Sequence, residues 1–75
     1  KKSRYIMMNA PTDSIEKVKA IIPSMKSPTI VPLAESDMVA IHTVIPITKF
    51  WTVMEELKEV GATDIVMLPI ESMIL

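Results

Sequence analysis

The side chains of this chain that could do chemistry lie at the junctions between predicted strands and loops. They form three pairs along the sequence: Asn9 with Thr12, Ser27 with Thr29, and Thr63 with Asp64. Together they offer hydroxyl, amide and carboxylate groups next to apolar segments. This mixture suits a zwitterionic amino acid, whose charged ends need partners once they leave water. Each residue could instead only satisfy the backbone of a turn, and the pattern alone leaves both readings open.

Other kinds of site find little support in the composition. The chain has no cysteine, which excludes disulfides, thiolate zinc sites and cysteine nucleophiles. His42 is the sole imidazole, and no nucleophile accompanies it, so we interpret it as a packing or interface residue. Gly61 is the only glycine, so no glycine-rich phosphate loop exists. We therefore predict no catalytic residue and no metal site in this chain.

Length and charge restrict the class of protein further. Seventy-five residues form one domain of marginal stability, which association with another surface would support. The net charge is −1 and the basic residues are scattered, which disfavours nucleic-acid binding. No apolar run reaches the about 20 residues of a membrane helix, and no signal peptide opens the chain. We expect a cytoplasmic protein with neither nucleic-acid nor membrane partners.

The chain organisation is predicted as a short linker remnant followed by one domain. The first residue is not methionine, so we interpret residues 1–3 as the end of a linker from a longer polypeptide and residues 4–75 as a single domain. Apolar and β-branched runs predict strands over residues 4–8, 29–33, 38–45 and 64–68. Apolar residues at helical spacing predict helices between Asp13 and Ile22 and between Thr48 and Val60.

Capping residues mark the ends of the two predicted helices. Asp13 is the expected N-cap of the first helix, with Glu16 completing a capping box, and Pro23 ends it. Thr48 is the expected N-cap of the second helix, and Gly61 stands where a left-handed C-terminal cap is favoured.

The order βαββαβ predicts a ferredoxin-like α+β sandwich. Right-handed crossovers place both helices on one face of a four-stranded sheet of order 4-1-3-2. Pro32 agrees with this order because proline cannot donate to a ladder and the second strand lies at an edge.

The strands carry apolar side chains on both faces, although two helices cover only one. In the third strand Val39 and Ile41 point to one side while Ala40 and Val44 point to the other. A contiguous apolar patch of this kind usually marks an interface. We expect this face to pack against other copies or against the rest of a longer chain. A tail over residues 70–75 folding back is the alternative.

The sequence resembles the C-terminal regulatory domain of the long form of ATP phosphoribosyltransferase over residues 4–73. The matching segments are Tyr5-Ile6-Met7-Met8-Asn9-Ala10-Pro11, Ile22-Pro23, Pro28-Thr29-Ile30, Pro32-Leu33-Ala34, Val39-Ala40-Ile41-His42, Met54-Glu55-Glu56-Leu57, Gly61-Ala62 and Leu68-Pro69-Ile70-Glu71. They are collinear, without an unexplained insertion.

The resemblance implies a PII-like regulatory domain without activity of its own. It implies threefold contacts within a hexameric enzyme and L-histidine bound between neighbouring domains, so that the end product inhibits the first step of histidine biosynthesis. Magnesium would belong to the catalytic domains, and no cofactor to this one. Carried over by position, the ligand-binding residues would be Asn9, Met25, Ser27, Thr29 and Asp64.

Two other readings share the same topology. One is an ACT-type amino-acid-sensing module of another biosynthetic enzyme, which ligand identity would distinguish. The other is a free-standing PII-like trimeric signalling protein, which the linker-like start of the chain disfavours.

Overall fold

A four-stranded antiparallel sheet with two helices packed on one of its faces forms the fold. The computed structural model describes residues 3–23, 25, 28–34, 36–46, 48 and 50–70. The elements are β1 (Ser3–Pro11), a 3₁₀ turn (Thr12–Ser14), α1 (Ile15–Ile21), β2 (Thr29–Pro32), β3 (Met38–Pro46), α2 (Phe50–Glu59) and β4 (Thr63–Pro69). The strand order is β2-β3-β1-β4. This confirms the predicted ferredoxin-like class and strand order.

The core lies between the sheet and the helices. Strict alternation along β1 and β3 buries every second side chain against α1 and α2. The fully buried side chains with the largest volumes are Ile6, Met8, Ile41, Leu57 and Val18. At about 1.5–3 kcal/mol for each large apolar side chain removed from water, this layer is the main source of stability.

Three strands, β1, β3 and β4, extend beyond their predicted bounds, whereas β2 ends at Pro32, one residue before the expected end. β1 continues through Asn9 and Ala10, which were expected to begin a loop, because β3 offers Ala40 and Val39 as cross-strand partners. Ser3 pairs with Pro46, so the first strand begins one residue before the expected boundary at residue 4. β2 keeps its edge position, as Pro32 requires.

The predicted N-cap of the first helix is wrong. Asp13 lies exposed inside the 3₁₀ turn, and the N-cap position of α1 is Ser14, which makes no side-chain capping bond. The buried Ser14 hydroxyl donates instead to the carbonyl of Val60, at 2.7 Å. A long-range bond to the end of α2 has therefore replaced the local cap.

The second helix begins at Phe50, two residues after the expected N-cap Thr48, and residue 49 lies outside the described residues. Its C-terminal end is as predicted. Gly61 has φ of +98°, the N–H of Gly61 bonds to Lys58, and the N–H of Ala62 bonds to Leu57. These bonds satisfy carbonyls of the last helical turn, which is why the chain can reverse into β4 there.

Candidate functional site

The sheet face away from the helices, here called the open face, combines apolar side chains with a few polar groups. Cross-strand register places the following residues on it: Tyr5, Met7, Asn9, Thr29, Val31, Ala40, His42, Val44, Val66 and Leu68. Val31, Val66 and Leu68 are 48%, 43% and 44% exposed. The strand pattern predicted this second apolar face correctly, and it is too apolar for a surface that remains in water.

A polar pair stands at one end of the open face. Asn9 Nδ2 donates to Asp64 Oδ2 at 3.1 Å, and the Thr63 hydroxyl lies 3.5 Å from the same oxygen. The pairing of β1 with β4 shifts between Met7 and Asn9, and Asp64 takes a left-handed φ of 52° at this irregularity. Such a backbone conformation is unusual for a residue with a side chain and is often found at functional positions.

A second polar group lies two strands away. Thr29, exposed at the start of β2, stands directly opposite His42 of β3, whose other neighbour in the row is Met7 of β1. The Tyr5 hydroxyl and His42 Nδ1 are hydrogen bonded at 3.1 Å, and the two rings meet edge to face. This bond and the ring contact hold the Tyr5 ring beside His42 on the sheet.

Within one copy, Thr29 and Asn9 do not converge. β3 lies between their strands, so two strand spacings of about 5 Å, or about 10 Å in all, separate them sideways, and they are not in the same cross-strand row. Within one copy they are therefore two separate polar groups, and a ligand as small as an amino acid would have to span this distance to contact both.

Of the two other predicted ligand residues, the structure describes only Met25. Met25 is half-buried, its side chain packs against the hydrophobic core, and its N–H bonds to the carbonyl of Ile22. It supports the chain that leads into β2. Ser27 lies outside the described residues, so its predicted role stays a prediction.

The hydrogen bonds of Thr12 were predicted only in part. Thr12, expected at the end of the first strand, donates through its N–H and its hydroxyl to the carbonyl of Asp37, at 2.8 and 3.0 Å. It fastens the β2–β3 connection to the end of β1 beside Asn9. The local sequence held no sign of this partner, because 25 residues separate the two.

A cleft that the sequence did not indicate lies on the helix side. About 530 Å³ in volume, it is lined by Ala20, Ile21, Ile22, Pro23, Ile45, Pro46, Thr48, Thr52, Val53 and Glu56. Of the predicted ligand residues that the structure describes, Asn9, Met25, Thr29 and Asp64, none borders it. A possible signal was the spacing of Thr48, Thr52 and Glu56, which lie one helical turn apart on α2.

The described residues place no group of three or more potential metal-ligating side chains together. Within the same residues, every buried side-chain nitrogen or oxygen has a hydrogen-bond partner. Neither helix of the described part is long and apolar enough to cross a membrane.

Comparison with known proteins identifies the family. Residues 1–72 match the family described as "HisG, C-terminal domain". The chain belongs to this family. It is 48% identical over 71 residues to the ATP phosphoribosyltransferase of Bacteroides thetaiotaomicron, and 46% identical over 72 residues to that of Bacteroides fragilis. The alignments cover 95% and 96% of this chain and 25% of each relative, so the chain spans about a quarter of their length.

The fold of this HisG C-terminal domain also occurs outside the family. A Bacillus cereus protein whose solved structure is described as related to NIF3 superposes with a TM-score of 0.65 at 12% identity. The match covers 95% of this chain and 26% of that one. Such low identity shows a shared fold alone.

Proposed function

We propose that this chain is the allosteric regulatory domain of an ATP phosphoribosyltransferase and binds L-histidine between neighbouring copies. In the parent enzyme, bound histidine would inhibit the first step of histidine biosynthesis. The catalytic domains, with their magnesium, would lie elsewhere in the parent chain. Support comes from the family and from relatives of 46–48% identity that carry this enzyme's name.

The observation that carries the interfacial part of the proposal is the geometry of the open face. Polar groups suited to an amino acid stand on β1, β4 and β2, with two strand spacings between the Asn9–Asp64 pair and Thr29 on one copy. Apolar side chains lie between them and are partly exposed, as at an interface. Contact of this face with neighbouring copies around a threefold axis would let the Asn9–Asp64 pair of one copy and Thr29 of another contact the same ligand.

The chemistry of histidine fits these groups. The Asp64 carboxylate is the acidic member of the polar pair and suits an ammonium or an imidazolium. The Thr29 hydroxyl can accept or donate a hydrogen bond, and so can serve either end of a zwitterion. Asn9 supplies a neutral amide, and its bond to Asp64 orients that carboxylate.

Regulation requires that histidine bind one assembly of the enzyme better than another, because a ligand can shift an equilibrium only by its differential affinity. A difference of about 100-fold would move a conformational ratio by about 2.7 kcal/mol. Histidine that bridges copies in the inhibited arrangement and loses one set of contacts in the active arrangement supplies such a difference. We expect two threefold sets of these contacts in a hexameric parent enzyme.

Titration calorimetry with each of the twenty amino acids, combined with analytical ultracentrifugation, tests the proposal. Histidine should bind, and only an associated form of the protein should bind it. Binding of serine, threonine or phenylalanine in its place would instead favour an ACT-type module of another biosynthetic enzyme. A stable monomer that binds none of the twenty would refute the proposal.

Small-angle scattering of the full-length enzyme tests the allosteric part. Addition of histidine should change the scattering profile, and the change should follow the same concentration dependence as inhibition. Identical profiles with and without histidine would contradict a change of assembly.

A further inference from the structure

The cleft on the helix side has no part in the proposed histidine site, and its construction suits a protein partner. Its walls come from the end of α1, the end of β3 and the start of α2, and include Ile21, Ile45, Pro46 and Val53. The polar residues at its border, Thr48, Thr52 and Glu56, are exposed to solvent. No described buried polar atom lacks a partner, so nothing in the walls demands a small polar ligand.

An exposed tryptophan lies on α2, the helix that forms one wall of this cleft. Trp51 is 78% exposed in the first turn of α2 and precedes the cleft residue Thr52 in the sequence. Its ring packs edge to face on that of Phe50, with 4.8 Å between the ring centroids. A large aromatic ring in water is costly, and exposed tryptophans are frequent anchors of protein interfaces. Phe50 is the more buried of the two aromatic residues.

The position of the cleft indicates what covers it. Ser3, at the start of β1, is the cross-strand partner of Pro46, which lines the cleft. Chain that precedes residue 3 therefore enters about one strand spacing, 5 Å, from the wall of the cleft. In relatives about four times as long, a C-terminal domain is preceded by most of the protein.

We propose that the cleft and Trp51 form the docking surface for the part of the same parent chain that precedes this domain. The inference rests on the proposed membership of a longer ATP phosphoribosyltransferase. It gives the domain two separate apolar surfaces with different partners. The open face meets other copies and carries the effector, and the cleft transmits the resulting movement to the preceding part of the chain.

Site-specific photo-crosslinking in the full-length enzyme tests the proposal. Thr52 is exposed, so p-benzoylphenylalanine at this position should not disturb folding. The matched control places the same probe at Glu59, an exposed position at the other end of α2. Crosslinked peptides are identified by mass spectrometry in a mixture of isotopically light and heavy enzyme, which separates contacts within one chain from contacts between chains.

We expect the probe at position 52 to capture peptides from the preceding part of its own chain, at several times the yield of the control. Crosslinks to residues 71–75, to another chain, or at no more than the control yield would each overturn the proposal. The proposal would also be overturned if a small molecule that competes for the cleft abolished the crosslinking yield at position 52 while the shape of the enzyme stayed the same.

A second variant gives a functional readout. Thr52→Arg places a long charged side chain at the mouth of the cleft and should make the junction before residue 3 several-fold more sensitive to limited proteolysis. The control, Glu59→Arg, should leave the rate unchanged. Histidine affinity is measured on the same samples. If Thr52→Arg binds histidine normally and its proteolysis rate is unchanged, the docking surface alone is refuted. If the unmodified enzyme does not bind histidine, the proposed function is refuted.

Discussion

Asn9 and Asp64, 55 residues apart, are joined by a 3.1 Å hydrogen bond from the amide Nδ2 to the carboxylate Oδ2. The bond crosses the irregular pairing of β1 with β4, where Asp64 adopts a left-handed φ of 52°. Backbone geometry and side-chain contact at this point therefore depend on each other. The bond places the carboxylate beside Asn9, a residue of the open face.

Substitutions at Asp64 should separate its charge from its backbone conformation. Asp64→Asn keeps a residue that tolerates the left-handed region, so we expect a free energy of unfolding within about 0.5 kcal/mol of the original. Asp64→Val should destabilise by about 1–2 kcal/mol, because a β-branched residue is strained there. Urea unfolding measures both. Equal stabilities of the two variants would contradict the left-handed conformation.

The same pair of variants tests the role of the charge in binding. Asp64→Asn should weaken histidine binding in calorimetry by about tenfold or more, since charged hydrogen bonds contribute about 1.5–3 kcal/mol. Its unchanged stability makes it its own folding control. Unaltered affinity would remove the carboxylate from the proposed site.

Thr29→Ala should weaken histidine binding by the free energy of one lost hydrogen bond, about 0.5–1.5 kcal/mol, or more if a buried partner is left without one. Thr29 is exposed in a single copy, so the substitution should leave the fold intact. Glu59→Ala, an exposed side chain on α2 outside both the open face and the cleft lining, is the control for calorimetry. The same affinity in both variants would refute the role of Thr29.

A charge on the open face should prevent self-association without unfolding the domain. Leu68 is 44% exposed on β4, so Leu68→Lys costs little in a single copy but would bury a charge between copies. Loss of about 1.5–3 kcal/mol of apolar burial at each contact should raise the dissociation constant in sedimentation experiments at least about tenfold. Glu55→Gln, which changes the net charge by the same unit on α2, should not. If Leu68→Lys associates normally, copies meet through another surface.

The sheet was predictable from the sequence because its information is local and periodic. Alternation in Met38–Pro46 gave both faces of β3, and Pro32 placed β2 at an edge. Helix starts were not predictable in the same way. The capping pattern of Asp13 and Glu16 is a valid local signal, but Ser14 is buried against Val60, and a residue 46 positions away decides where α1 begins.

In the candidate site, too, the local features were predictable from the sequence and the long-range ones were not. Which residues share the open face followed from strand periodicity, and its apolar character followed with it. The distance between Thr29 and Asn9 depends on an intervening strand, and the cleft depends on how two helices end side by side. Neither is a property of one segment, so neither could be read from spacing. Met25 is an example: its predicted role in the ligand pocket was inferred from its position in the sequence, and the structure shows its side chain packed on the core.

Ser14 and Asp13 allow a direct test of what starts the first helix. Ser14→Ala removes a 2.7 Å bond from a buried hydroxyl to the carbonyl of the half-buried Val60, so we expect a loss of about 0.5–1.5 kcal/mol. Asp13→Ala removes an exposed side chain without a capping bond and should cost less than about 0.5 kcal/mol. If chemical denaturation showed a larger loss of stability for Asp13→Ala than for Ser14→Ala, Asp13 would be the N-cap of the helix after all.

The close approach of Gly61 to Pro11 yields a final prediction, on the joint between α2 and β4. A Cβ at Gly61 would lie 2.9 Å from Cγ of Pro11, and φ of +98° adds strain for any residue with a side chain. Gly61→Ala should therefore destabilise by more than about 1 kcal/mol. Pro11→Ala removes the clashing ring atoms, so the double variant should recover part of that loss, whereas the backbone strain remains. The coupling energy from the four unfolding curves measures the steric part. Strict additivity would show that the ring moves aside and that strain at Gly61 alone accounts for the loss.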